Sequence, residues 1–185
     1  NYAFWYRKAK LQESGKDSSG ALKSYRYAIK IYPSPDAMLA AANLLAEKKD
    51  STAILICRQI EGQRMGREYT AHCAFISGVY YARTGQYDKA LTAFNRCINN
   101  YYQYTEAYME KGFLLYDANK TAEALQVFKT LVAIKNTYVN GYYWIAKCNE
   151  KLSAQSAAIE YYQKALLLDP NIPEARAALK RLGVK

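Results

Sequence analysis

A period of 34 residues runs through the second half of this 185-residue chain and limits its fold more than any other feature. Gly78 steps to Gly112 and then Ala146, and Tyr81 to Leu115 and Asn149. Ala90 steps to Ala124 and Ala158, Phe94 to Phe128 and Tyr162, and Cys97 to Leu131 and Ala165. Within one unit, Ala90, Phe94 and Cys97 are separated by four and three residues, the stripe of a helix facing a partner. Ala74, Ser77, Gly78 and Tyr81 form a similar stripe upstream, and Gly85 falls where the first helix must end. Each unit therefore reads as a helical hairpin. A fixed period of this size marks an array of stacked helical pairs.

Packing explains the residue types. Small residues at Gly78, Gly112 and Ala146 let the second helix of each pair come close. Ala90, Ala124 and Ala158 are the small partners across the contact, and Phe94, Phe128 and Tyr162 fill the space beside them. Helices of about a dozen residues are marginal alone in water, so such pairs draw their stability from their neighbours.

These units resemble tetratricopeptide repeats. The matching residues are Gly78, Tyr81, Gly85, Tyr87, Ala90 and Phe94 in unit 71–104, and Tyr108, Gly112, Leu115, Ala124 and Phe128 in unit 105–138. In unit 139–172 they are Tyr142, Ala146, Ala158, Tyr162, Ala165 and Pro170. The first unit, 2–33, matches through Trp5, Ala9, Ala21, Tyr25, Ala28 and Pro33. A degenerate unit, 34–67, keeps Ala41, Leu44 and Ala53 but has Cys57 where an aromatic is usual, and extra residues follow it around Arg67. The resemblance implies an all-α, right-handed solenoid of helix-turn-helix repeats. It also implies a concave face, lined by the first helix of each pair, that holds a peptide or helix of a protein partner. The positions that correspond to that face are Phe75, Val79, Arg83, Met109, Phe113, Tyr116, Asp117, Asn140, Tyr143 and Lys147. Together they make an aromatic and apolar trough with a few polar groups, the composition of a recognition surface. Chaperone-binding members of the family grip a terminal carboxylate with Lys and Asn. The matching places here hold Tyr6 and Lys10, Met38 and Ala42, and Phe75 and Val79, so that clamp is missing.

Punctuation agrees with the units. "IYPSPDA" and "LDPNIPEA" each close one helix and open another with a Pro followed by an acid. The tail "PEARAALKRLGVK" reads as a capping helix over 173–183, with Arg176, Lys180 and Arg181 outward and Gly183 as the stop. No Gly/Ser linker interrupts 1–185, which reads as one elongated domain. The longest apolar stretch, "AMLAAANLLA", is too short to cross a membrane and contains Asn43. The start at Asn1 implies a removed leader or upstream region. With the Lys-, Asn- and Tyr-rich style, it points to a bacterial cell-envelope assembly, with the cytoplasm as the alternative compartment.

The formal charge of +10 raises nucleic-acid binding as an alternative function. Its Lys and Arg are, however, spread through all units and mixed with acids, whereas phosphate tracking needs them on one face. A further alternative is an accessory domain of a larger enzyme or sensor. No phosphate loop, nucleophile elbow or H-E-x-x-H occurs, and His72 is the only histidine. Cys57, Cys73, Cys97 and Cys148 form no C-x-x-C pair, so we expect structural thiols, no metal, no cofactor and no catalysis. Asn119-Lys120-Thr121 is a sequon or simply a turn between helices. The tyrosine groups "NNYYQY" and "GYYW" suit half-buried junctions and interfaces alike.

Overall fold

The computed structural model describes residues 1–184, and among these the regular structure is eleven α-helices with no strand. Five pairs follow one another: α1 (Tyr2–Ser14) with α2 (Ser18–Ile31), α3 (Pro35–Glu47) with α4 (Thr52–Gly62), and α5 (Arg67–Arg83) with α6 (Tyr87–Asn100). Then come α7 (Thr105–Asp117) with α8 (Thr121–Ile134), α9 (Val139–Lys151) with α10 (Gln155–Leu168), and a single α11 (Pro173–Arg181). This is the fold class of tandem helical repeats. The helices group into two compact units, Asn1–Tyr102 and Gln103–Lys185. The boundary falls in the tyrosine-rich turn that the sequence places between repeats.

All five pairs turn in the same way. Lys16, Lys49, Gly85, Asn119 and Ser153 adopt left-handed backbone, with φ between 60° and 76°. The next residue's N–H then donates to a carbonyl five residues back: Asp17 to Gln12, Asp50 to Leu45, Gln86 to Tyr81, Lys120 to Leu115 and Ala154 to Asn149, at 2.8–2.9 Å. This closing bond satisfies a carbonyl that the ending helix leaves unpaired. Only one of the five left-handed positions is a glycine, so the other four carry the steric cost of a Cβ there.

The contact that holds each pair together has a register of sixteen residues. Gly78 meets Phe94 and Gly112 meets Phe128; the same spacing separates Ala9 from Tyr25, Ala41 from Cys57 and Ala146 from Tyr162, and all these residues are buried. The sequence places Gly112 against the second helix around Ala124. There the structure lays the Phe128 ring on Gly112, where an added Cβ would collide with Cε1 and Cζ. At Gly78 the same Cβ would lie 2.5 Å from Phe94 Cε1. Glycine is needed at these two places to admit a flat ring rather than to bend the chain.

Where the ring is tyrosine, its hydroxyl finds an acid twelve residues back. Tyr25 donates to Glu13 Oε2 at 2.7 Å and Tyr162 to Glu150 Oε2 at 2.9 Å. The phenylalanine pairs carry Ala82 and Tyr116 at the corresponding place, since a phenyl ring needs no acceptor. In the degenerate pair, Cys57 replaces the ring and meets Cys73 of α5, whose carbonyl in turn accepts from Ser77 Oγ at 2.8 Å.

Two local features differ from the sequence expectation or refine it. The period starts the third unit at residue 71, yet α5 begins at Arg67, so the extra residues add a helical turn. Gly66, at φ 107°, opens that turn, and its carbonyl accepts from the Thr70 N–H at 3.2 Å. At the other end, α11 packs Ala175, Ala178 and Leu179 on Ala146, Ala158 and Tyr162, which makes it the cap of the last pair. Arg176 and Lys180 are exposed, whereas Arg181 turns back to pair with Glu150 at 2.7 Å.

Two substitutions test this packing. Gly112→Leu is expected to lower stability by about 1–3 kcal/mol in chemical denaturation, because the Phe128 ring has no free space to move into. An unchanged midpoint would remove that contact. Ser153→Gly is expected to raise stability by about 0.5–1 kcal/mol by relieving the left-handed Cβ, and a loss would contradict the turn geometry.

Candidate protein-interaction surface

In the second unit, the first helices α7 and α9 present an aromatic cluster centred on Trp144. Its ring lies 4.7 Å from Phe113, 5.3 Å from Tyr116, 5.9 Å from Phe128 and 6.0 Å from Tyr143, centroid to centroid. Helical spacing brings Lys147, one turn beyond Tyr143 and Trp144, over both rings at 5.9 and 5.2 Å. Lys151, one turn further, sits 4.2 Å from the Tyr116 ring. These are cation–π distances, and the contacts hold long, flexible lysines along the rings.

Beside the cluster lies a pocket of about 330 Å³, lined by Tyr116, Tyr143, Lys147, Glu150, Lys151, Tyr162, Glu174, Ala178 and Arg181. Glu150 is its anchor, accepting from the Tyr162 hydroxyl and pairing with Arg181. Lys151 Nζ donates to the Tyr116 carbonyl at 3.2 Å and to Asn119 Oδ1 at 2.9 Å. Asn119, the first residue of the sequon, thus serves as a turn residue that anchors a pocket lysine. Burial pushes the phenols of Tyr116 and Tyr143 above their ordinary range, and Cys148 and Glu150 (for Tyr116) and Glu174 and Glu150 (for Tyr143) add to it. Three cations and two carboxylates make this surface more polar than the aromatic and apolar trough expected from the sequence.

Of the ten residues assigned from the sequence, Tyr116, Tyr143 and Lys147 meet in the pocket. Phe113 is half-buried between Trp144 and Phe128, 6.0 Å from the latter, so it supports the surface from beneath. Val79 and Met109 are buried core residues and offer nothing to a partner, because their helical positions turn inward. In the first unit, Phe75 is half-buried and packs on Phe94 at 5.9 Å. Arg83 reaches Glu47 at 2.8 Å, tying α5 to α3. Asp117 and Asn140 are exposed and lie outside the pocket lining. Sequence reasoning missed Trp144, Glu150, Lys151 and Arg181. The cue for Trp144 was the "GYYW" group, whose last ring meets Phe113, Tyr116, Phe128 and Tyr143.

All four cysteines are buried thiols. Burial raises the Cys148 thiol to about 11, and a hydrogen bond with Cys73, followed by burial, holds Cys57 far above the ordinary thiol range. Neither supplies a thiolate near neutral pH. Among the described residues, no group of three or more His, Cys, Asp or Glu could hold a metal ion, and no helix is long and apolar enough to cross a membrane.

The tyrosine–glutamate contacts carry a pH dependence. Burial first, and then the hydrogen bond to glutamate, raise the phenols of Tyr25 and Tyr162 above the ordinary 10.0. The folded chain therefore keeps these protons where the unfolded chain has released them. This contribution is complete below about pH 10 and is lost as pH rises beyond it. Replacing both tyrosines with Phe should flatten the alkaline fall in urea stability. At neutral pH the double variant should lose about 0.5–1.5 kcal/mol per hydrogen bond. An unchanged alkaline slope would contradict the assignment.

Comparison with known proteins places the chain. Two family models, both described as tetratricopeptide repeat, match residues 77–139 and 139–172, together more than half of the sequence. Among solved structures, PilW, described as a widely conserved type IV pilus biogenesis factor, superposes with a TM-score of 0.81 at 18% identity, over 97% of this chain and 83% of that one. TTC0263, a thermophilic TPR protein from Thermus thermophilus, gives 0.76 at 15% identity over 98% of both chains. YrrB, described as a TPR protein with an unusual peptide-binding site, gives 0.61 at 20% identity over 95% of this chain and 90% of that one. The 34-residue period, the ring-on-small-residue register and these matches agree, and the chain belongs to the tetratricopeptide repeat family.

Proposed function

We propose that this protein is a non-catalytic scaffold or adaptor that holds a peptide or helix of a protein partner on the first-helix face, with the pocket beside Trp144 as its anchor point. The repeat fold is in general an interaction module, and in YrrB the same fold carries a peptide-binding site. The observation that carries the proposal is the joining of half-buried rings and lysines on α7 and α9. Tyr116, Tyr143 and Trp144 offer rigid aromatic area that loses little side-chain entropy on binding. Lys147 Nζ rests against ring faces, which leaves its N–H donors to meet a carbonyl or carboxylate of the bound segment. In the first unit, Phe75 and Arg83 hold the corresponding first-helix positions. The setting we favour for such a scaffold is a bacterial cell-envelope assembly, a reading supported by composition.

Selecting a displayed peptide library against the full chain supplies a ligand for the test. Tyr143→Ala is expected to weaken the selected peptide by more than about 1 kcal/mol, as truncated aromatic anchors do. Lys164→Ala, in α10, should leave affinity nearly unchanged, because that side chain is engaged with Glu160 on the outer helix. Melting curves of both variants separate lost binding from lost folding. A folded Tyr143→Ala protein with full affinity, alongside a Lys164→Ala protein without it, would move the interface to the second helices.

A further inference from the structure

The first helix pair carries an exposed face whose chemistry the groove does not use. On α1, Phe4, Lys8 and Leu11 follow at helical spacing beside Arg7, and on α2, Lys23, Tyr27 and Lys30 do the same beside Ile31. The two stripes are joined through Trp5, which stacks on Tyr27 at 4.6 Å and meets Phe4 edge-on at 5.3 Å. Lys8 Nζ lies 5.1 Å above the Trp5 ring. Phe4 is 60% exposed, Leu11 73%, Tyr27 54%, Ile31 52% and Tyr32 61%. Five of the thirteen exposed large hydrophobics among the described residues thus fall within the first 32, a concentration a free surface rarely keeps.

Charge is concentrated in the same place. Residues 1–31 hold seven basic and two acidic side chains, so half of the formal +10 lies in the first pair. Glu13 accepts from Tyr25 and pairs with Lys10 at 3.6 Å, and Asp17 caps α2 by accepting from Gly20 N–H. Arg7, Lys8, Lys23 and Lys30 form no ion pair among the described residues.

We infer that this face docks on an anionic lipid surface, independently of the partner groove. The occupant must be negative and apolar at once. Aliphatic Leu11 and Ile31 cannot stack on nucleobases, which argues against single-stranded nucleic acid. The concavity along this face, about 500 Å³, is lined by Asn1 and residues of α1 alone and so has no opposing wall to grip a protein side chain. A bilayer interface needs no such wall. Aromatic and aliphatic side chains enter the headgroup boundary while lysines reach the lipid phosphates.

Flotation of the full chain with vesicles provides the test. Capture is expected on phosphatidylcholine mixed with phosphatidylglycerol, with little on phosphatidylcholine alone and release by high salt. Lys8→Glu with Lys30→Glu should reduce capture by more than about tenfold, and Phe4→Ser with Leu11→Ser should also reduce it, with helicity retained. Lys129→Glu with Lys164→Glu, an equal charge change in the second unit, should cost far less. No capture on anionic vesicles, equal losses for the two charge-reversal pairs, or equal capture on neutral lipid would overturn the inference. So would an oligonucleotide bound through Lys8 and Lys30 by a chain that ignores vesicles.

Discussion

A ring packed on a small residue sixteen positions earlier is the contact on which this structure depends. It sets how near the two helices of a pair can come, and it fills the space between them without a void. Phe128 on Gly112 and Phe94 on Gly78 meet this requirement with no Cβ on the first helix. Tyr25 and Tyr162 stand in the same register to Ala9 and Ala146, with the hydroxyl carried by a glutamate. The degenerate pair, with Cys57, keeps the register but loses the ring, and α5 contributes Cys73 to the contact instead.

The candidate surface is an outgrowth of the same contact. Phe128 stacks on Trp144 at 5.9 Å, so the ring that closes α7 against α8 also fixes the centre of the aromatic cluster. Tyr162, which closes α9 against α10, holds Glu150, and Glu150 holds Arg181 of the cap at the pocket edge. Tyr116 occupies the position where a tyrosine pair would place its glutamate, and it becomes a pocket wall. Recognition and packing therefore share residues here. For that reason, binding measurements on this surface must be accompanied by stability measurements.

Much of this was legible in the sequence. The period located the helical pairs, Gly85 marked a turn, and the two Pro-rich junctions marked helix ends. The turns at Lys16, Lys49, Asn119 and Ser153 were hidden because their left-handed residues are not glycines. Spacing set Gly112 against the second helix, with Phe128 beside Ala124, but that the ring itself meets Gly112 depends on register between two helices, which spacing along one helix does not report. Val79 and Met109 fell on the expected inner face by position, but a difference of one helical step sends a side chain into the core rather than the groove. The charged edge of the pocket comes from two helices, α9 and α11, and becomes visible only when they are assembled.

The central claim is that Gly112 and Phe128 act as one unit, and a double-mutant cycle of urea stability measures this directly. Gly112→Ala alone should destabilise by crowding the ring, and Phe128→Leu alone by leaving space. Combined, the smaller side chain should admit the new methyl, giving a coupling of about 1 kcal/mol or more in the direction of relief. Additivity within about 0.3–0.5 kcal/mol would show that the two positions are energetically independent and would contradict the account.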